Sequence, residues 1–176
     1  MNVTIEPLSK KELSNLRICY SFADSPFAKI VLASTNLGLC SVRLVMETEK
    51  QAVEKLQKAF PGSKLEASVQ PLHLDFLKVF SDEPINLSFH LLGTPFELDV
   101  WKALLHIPIG GTTTYGALAA EIGKPKACRA VGSAVGDNPI FYAVPCHRVL
   151  PASGGVGNYF WGPEIKKRIL VWEKAI

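Results

Sequence analysis

The chain has 176 residues, 48% hydrophobic and 20% charged, which fits one domain or two small packed ones and excludes disordered and collagen-like chains. The net charge of +3 is unevenly spread: residues 1–100 carry 10 Lys+Arg against 12 Asp+Glu, about −2, and residues 101–176 carry 9 against 4, about +5. Any polyanion contact is therefore expected in the second half, with chance surface variation as the competing explanation.

Residues 1–6 lack the basic-then-apolar pattern of a secretory leader, and no apolar run is long enough for a membrane span. Cys19, Cys40, Cys128 and Cys146 are too scattered for a disulfide framework and include no Cys-x-x-Cys pair. The expectation is a reduced, cytoplasmic protein with free thiols. Residues 16–22, 28–33 and 38–44 alternate or run apolar between turn residues and predict an antiparallel meander. Ala52, Val53, Leu56 and Phe60 predict an amphipathic helix over 47–60, stopped by Pro61-Gly62. Residues 72–80 give another short helical pattern, and 85–91 one more strand.

The pattern changes in residues 81–95, the expected boundary between an α/β unit (1–90) and a mostly helical one (91–176). Thr94 can cap a helix with Pro95 at its first position, and Phe96, Val100, Trp101 and Leu104 share one face. Thr114 caps a second helix with Leu118, Ala119 and Ile122 as its stripe, closed by Gly123. Residues 126–135 form a third, rich in small side chains. Two short helices joined by a glycine turn make a helix-turn-helix candidate, although packed pairs that bind nothing look the same.

The chemistry concentrates in residues 138–149. An apolar run, read as a strand ending in a tight turn, leads to Pro145-Cys146-His147-Arg148. A thiol there is either a packing residue or a nucleophile. His147 as a base and Arg148 as a nearby positive charge would both raise its thiolate fraction.

Pro145-Cys146-His147-Arg148-Val149 resembles the active-site motif of the O6-alkylguanine-DNA alkyltransferases. Gly93-Thr94-Pro95-Phe96, Val100-Trp101, Thr114-Tyr115-Gly116, Gly123-Lys124-Pro125-Lys126-Ala127, Arg129-Ala130-Val131-Gly132, Asn138-Pro139, Gly157-Asn158-Tyr159, Gly162, Lys166 and Glu173 match in order and spacing. The resemblance covers residues 93–174; the first 90 residues resemble the family only in layout. It implies an α/β fold: a small antiparallel sheet with helices in a ribonuclease H-like layout, then a winged-helix-like domain with a helix-turn-helix.

It also implies the roles. Cys146 would take the alkyl group permanently, so the protein works once and needs no cofactor. His147 would remove the thiol proton through a bridging water, with Glu173 supporting it in place of a plain surface glutamate. Asn138 would tie the active-site turn to the helix-turn-helix. Tyr115 would rotate the target nucleotide's phosphate and hold the leaving guanine, which must be flipped out to be reached. Arg129 would fill the gap in the duplex from the minor groove. Ala127, Ala130, Gly132 and Ser133 would let the helix approach closely, and Lys124 and Lys126 would contact phosphates. The pocket would comprise Pro145, Val149, Tyr159, Phe160 and Trp161. Phe160-Trp161 departs from the small residues of many members and predicts a narrow pocket, with good activity on methyl adducts and poor activity on bulky groups such as benzyl. The implied partner is duplex DNA bearing O6-alkylguanine, with O4-alkylthymine open, bound by a monomer without membrane contact. Zinc on Cys19, Cys40, His73 and His90 is poorly supported by their spacing. A lesion-binding regulator of the same fold and an unrelated Cys-His-Glu hydrolase are the competing readings. Retention of Cys146 argues against the first, and Arg129 with the helix pair against the second.

Overall fold

The computed structural model describes residues 1–81 and 83–176, and its contacts divide them between two units, Met1–Gly93 and Thr94–Ile176. The first is built on a six-stranded sheet: β1 (Asn2–Leu8), β2 (Arg17–Asp24), β3 (Lys29–Ser34), β4 (Leu39–Leu44), β5 (Lys64–Ala67) and β6 (Asn86–Leu92), in spatial order β1-β6-β4-β3-β2-β5. β2, β3 and β4 form the antiparallel meander. The sheet as a whole is not antiparallel, because β1–β6, β4–β6 and β2–β5 pair in parallel. β5 and β6 return to the sheet after the helices α1 (Glu49–Ala59) and α2 (Pro71–Leu77), and crossovers of that length suit parallel pairing.

β1 and β5 escape the sequence pattern for related reasons. β1 buries only Leu8 and contains Pro7, which an edge strand tolerates. β5 has four residues, Lys64 and Ala67 exposed, and closes the other edge. Gly38 is required where β4 begins, since a Cβ there would lie 2.5 Å from the Ser88 carbonyl oxygen of β6. Thr48 and Gln51 form a reciprocal capping box that starts α1. The core on one side of this unit gathers Leu8, Leu13, Ile18, Cys40, Leu56 and Phe60. The histidines and cysteines considered for zinc have other surroundings. His73 sits between Ser21 (2.7 Å) and Ser34 (3.0 Å), His90 pairs with Thr35 (2.9 Å), and the Cys40 thiol donates to the Ala33 carbonyl.

The second unit comprises α3 (Pro95–Leu104), α4 (Tyr115–Glu121), α5 (Cys128–Gly136), α6 (Pro163–Trp172) and a two-stranded pairing of β7 (Thr113–Thr114) with β8 (Val149–Leu150). Thr94 caps α3 through the Glu97 N–H (3.2 Å), while the Glu97 carboxylate accepts from the Thr94 N–H (2.7 Å). Buried Trp101 donates from Nε1 to the Ala134 carbonyl at 2.8 Å and so fastens α3 to α5. Thr114 caps α4, and Gly123, at φ +71°, ends it with Gly123 and Lys124 N–H groups turned back on the Ala120 and Ala119 carbonyls. The third helix starts two residues later than the pattern suggests: Ala127 is its N-cap, which leaves Lys126 in the turn. Among the described residues no helix is long and apolar enough to cross a membrane.

Candidate active site

Residues 138–145 are not a strand. The run Ile140–Val144 is fully buried, so its apolar character reports burial rather than an extended backbone. Tyr142 has φ +65°, and the Ala143 N–H donates to the Phe141 carbonyl at 2.8 Å, closing a three-residue turn around it. Pro145 (φ −83°, ψ 62°) centres a second such turn, closed by the Cys146 N–H on the Val144 carbonyl. Two tight turns thus deliver Cys146 into a short 3-10 turn, Cys146–Arg148.

Asn138 organises this segment. Its Nδ2 donates to the carbonyls of Ile140 (3.0 Å) and Val144 (2.7 Å) and to Cys146 Sγ (3.2 Å), while its Oδ1 accepts from the Ile140 N–H (2.9 Å). Cys146 Sγ also lies 3.7 Å from the Tyr159 hydroxyl, to which the thiol donates. Burial pushes the Cys146 thiol up, and its hydrogen bonds with Asn138 and Tyr159 and the charge of Lys166 pull it partly back. The resting group is a thiol that needs a base.

That base is next to it in sequence. His147 is fully buried and its Nε2 is 3.0 Å from Glu173 Oε1. Glu173 stands at the C-terminal end of α6, only 5% exposed. Burial would raise its carboxyl, but hydrogen bonds from Arg148 and His147 outweigh this and hold it at about 2. An ionised carboxylate only accepts, so His147 carries its proton on Nε2 and its lone pair on Nδ1. Nδ1 is buried and has no protein hydrogen-bond partner. Burial lowers the His147 pKa, Glu173 acting the other way, so the ring is neutral and able to accept a proton.

Arg148 does something different from the local positive charge read in the sequence. Its guanidinium forks onto both Glu173 oxygens (Nε to Oε2 2.9 Å, Nη2 to Oε1 2.7 Å) and donates to the Ile107 carbonyl (2.6 Å). The cation whose charge reaches the thiol is Lys166, fully buried in α6. It donates to the Val149 carbonyl at 2.8 Å and lies over the Tyr159 ring. Burial lowers Lys166 to about 8, with Cys146 opposing. Nothing local predicts either contact, because the partners are 25 and 17 residues apart in sequence.

A cavity of about 280 Å³ opens onto the thiol, small for a ligand pocket. Tyr115, Gly132, Val135 and Gly136 line it from α4 and α5, with Asp137 just beyond, Asn158, Tyr159 and Phe160 from the later loop, and Cys146 and Lys166. The loop turns at Gly157 (φ +67°), where a Cβ would also strike the Pro151 ring. Trp161 does not extend this wall. It is 7% exposed and packs edge-on against Phe141 and Tyr159, whereas Phe160 is 66% exposed. Val149 and Pro145 are buried and not among the lining residues: the Val149 carbonyl accepts from Lys166, and Pro145 is at the centre of its turn.

On α5 the buried residues are Val131, Ala134 and Val135, leaving Arg129, Ala130 and Ser133 exposed, as are Lys124 and Lys126 in the preceding turn; Ala127 is half-buried. Lys124 lies over the Phe96 ring at 5.3 Å. Tyr115 is half-buried, and burial followed by the charges of Cys146 and Cys128 raises its phenol, which stays protonated.

A family model described as the DNA-binding domain of 6-O-methylguanine DNA methyltransferase matches residues 95–175. The methylated-DNA–protein-cysteine methyltransferase of Mycobacterium tuberculosis (strain H37Rv) is 39% identical over 158 residues, covering 90% of this chain and 93% of that one. The bifunctional transcriptional activator/DNA repair enzyme Ada of Escherichia coli (strain K12) is 34% identical over 161 residues and covers 89% of this chain, which spans only 45% of Ada's length. The crystal structure of Mycobacterium tuberculosis OGT in complex with DNA matches with a TM-score of 0.72 at 34% identity, over 90% of this chain and 93% of that one. Likeness of this degree, running through both units, shows that the chain belongs to the methylated-DNA–protein-cysteine methyltransferase family.

Proposed function

We propose that this protein repairs DNA by moving a methyl group from O6 of guanine onto Cys146 Sγ, once per molecule. The observation that carries the reading is the thiol itself: held by Asn138, facing a small cavity, and adjacent to a neutral histidine whose tautomer Glu173 fixes. His147 Nδ1 takes the thiol proton through a bridging water, Sγ attacks the methyl carbon in line, the S–C bond forms and the C–O6 bond breaks. The electron pair stays on the guanine, which is protonated as it leaves. Tyr115, a protonated phenol in the cavity wall, is the donor we assign to that base. Tyr159 donates to the thiolate as it forms.

The same proposal covers the partner and setting. Duplex DNA containing O6-methylguanine is bound through its minor groove by the α4–α5 pair as a helix-turn-helix. Arg129 enters the stack, Lys124 and Lys126 meet phosphates, and Ala127, Ala130 and Ser133 keep the helix close. The exposure of Lys124, Lys126, Arg129, Ala130 and Ser133 on one helix and its leading turn supports this. The first unit would be ribonuclease H-like and the second winged-helix-like, in a cytoplasmic monomer. Incubation with a duplex carrying O6-[methyl-³H]guanine tests the reading. One label per chain on Cys146 supports it; binding without label, as a lesion-binding regulator would give, overturns it.

A further inference from the structure

We infer that Tyr142 is a positioning residue for His147: the strained turn that carries it lays its ring flat on the imidazole, fixing the plane of the base and stabilising the cation it becomes. The inference rests on His147 acting as the base. Tyr142 and Lys174 are the two non-glycine residues with positive φ among the described residues. A γ-turn of this hand is the rarer, strained kind, and a bulky aromatic is among the least suited residues for it. An asparagine or glycine would form the turn with less strain, so the side chain is what the position requires. Strain kept at a buried site is held by its surroundings, and here the ring is 5% exposed and stacked on His147, centroids 5.6 Å apart and planes 16° from parallel.

The groups facing His147 explain what a ring face adds there. Burial and the charges of Arg148, on the same turn, and Lys166, on α6, all disfavour the imidazolium, and Glu173, also from α6, favours it. Glu173 is itself shared, because Arg148 takes both of its oxygens. The Tyr142 ring, within the distance at which a cation is attracted to an aromatic face, favours the charged imidazole without adding a charge that would compete for Glu173. Its phenol stays protonated, pushed up to about 12 by burial and by the charge of Glu173. The stacked ring further stops the imidazole from swinging, so Nε2 stays on Glu173 and Nδ1 stays free to take the proton.

The test compares the full-length protein with Tyr142→Phe, Tyr142→Leu and Tyr142→Asn, the last chosen because asparagine accepts a positive φ if leucine prevents folding. Two quantities are read: the single-turnover rate of methyl transfer from a methylated duplex across pH, and the titration and ring-proton shifts of His147 by NMR without DNA. Leu and Asn are expected to lower the plateau rate by between about threefold and thirtyfold, to move the acid limb to lower pH, and to abolish the upfield ring-current shift of His147. Phe is expected to keep the shift and stay within about threefold of the parent. A folded Leu or Asn variant with the parental pH profile and His147 shifts overturns the inference, as does a Phe variant that falls as far as Leu. If the parent transfers no methyl, the proposed activity falls, and the NMR titration alone still decides the role of Tyr142.

Discussion

Replacing Glu173 by Gln tests the structural and the chemical side of the site together. The carboxylate accepts from Arg148 Nε, Arg148 Nη2 and His147 Nε2, so every approach to its two oxygens is a donor. Gln presents an NH₂ group to at least one of these donors and removes the charge that compensates a guanidinium only 6% exposed, leaving it the Ile107 carbonyl. Breaking a buried pair on one side costs about 3–5 kcal/mol, which at this chain length lowers Tm by roughly 6–20 °C. The pH dependence carries the sign. The folded carboxyl is held at about 2, below its ordinary value of 4.5, so its stabilisation is present above pH 4.5 and disappears as pH falls towards 2. The stability gap between parent and variant, from chemical denaturation at several pH values, is expected to be constant above pH 5 and to close towards pH 2. Methyl transfer by the variant at pH 7 is expected to fall at least about a hundredfold. A variant that melts within about 2 °C of the parent, or a gap unchanged at pH 2, would refute the reasoning.

Further outcomes follow from single contacts. Asn138→Ala strips four hydrogen bonds from the active-site turn and is expected to cost about 2–4 kcal/mol. It should also slow iodoacetamide labelling of Cys146 at pH 7, since Asn138 helps hold the thiol down; unchanged labelling would contradict that. Arg129→Ala is expected to reduce transfer from a duplex at least tenfold while leaving transfer from the free base O6-methylguanine within about twofold, and equal losses on both would place Arg129 elsewhere. Phe160→Ala is expected to speed benzylguanine labelling relative to methyl transfer, because Phe160 rather than Trp161 lines the cavity. Trp161→Ala should chiefly lower Tm, by removing a ring packed on Phe141.

What could be read from the sequence is what local chemistry decides. Thr94 with Pro95, Thr114, and Gly123 announce helix ends because capping is settled within a few residues, and the meander shows because its strands bury alternating or continuous apolar faces. β1 and β5 are set by pairing to distant strands at the sheet's edges, where burial is too slight to leave a pattern. The 138–145 run misleads because full burial removes the alternation that separates a strand from a turn. Cys146 and His147 stand out as neighbours, but Glu173, Arg148 and Lys166 acquire their partners only through folding. Only a matched position, and no spacing, singled out Glu173. The Trp161 ring shows the same limit: two adjacent aromatics in a loop do not say which one turns inward.

The network that activates Cys146 also explains why one transfer would end its use. Asn138 Nδ2, the Tyr159 hydroxyl and Lys166 are arranged around a sulfur that becomes anionic. Methylation replaces the S–H that donates to the Tyr159 hydroxyl with a methyl group, leaves a sulfur that can no longer become the anion these groups favour, and adds volume at a buried position. Reversal would need a second nucleophile to attack the methyl carbon with Sγ leaving. Lys166, the amine lining the cavity, is fully buried and committed to the Val149 carbonyl. The methylated protein is therefore expected to melt below the parent. A methylated form that melts as high as the parent or higher would show that neither the lost S–H donor nor the added methyl group disturbs the packing around the sulfur.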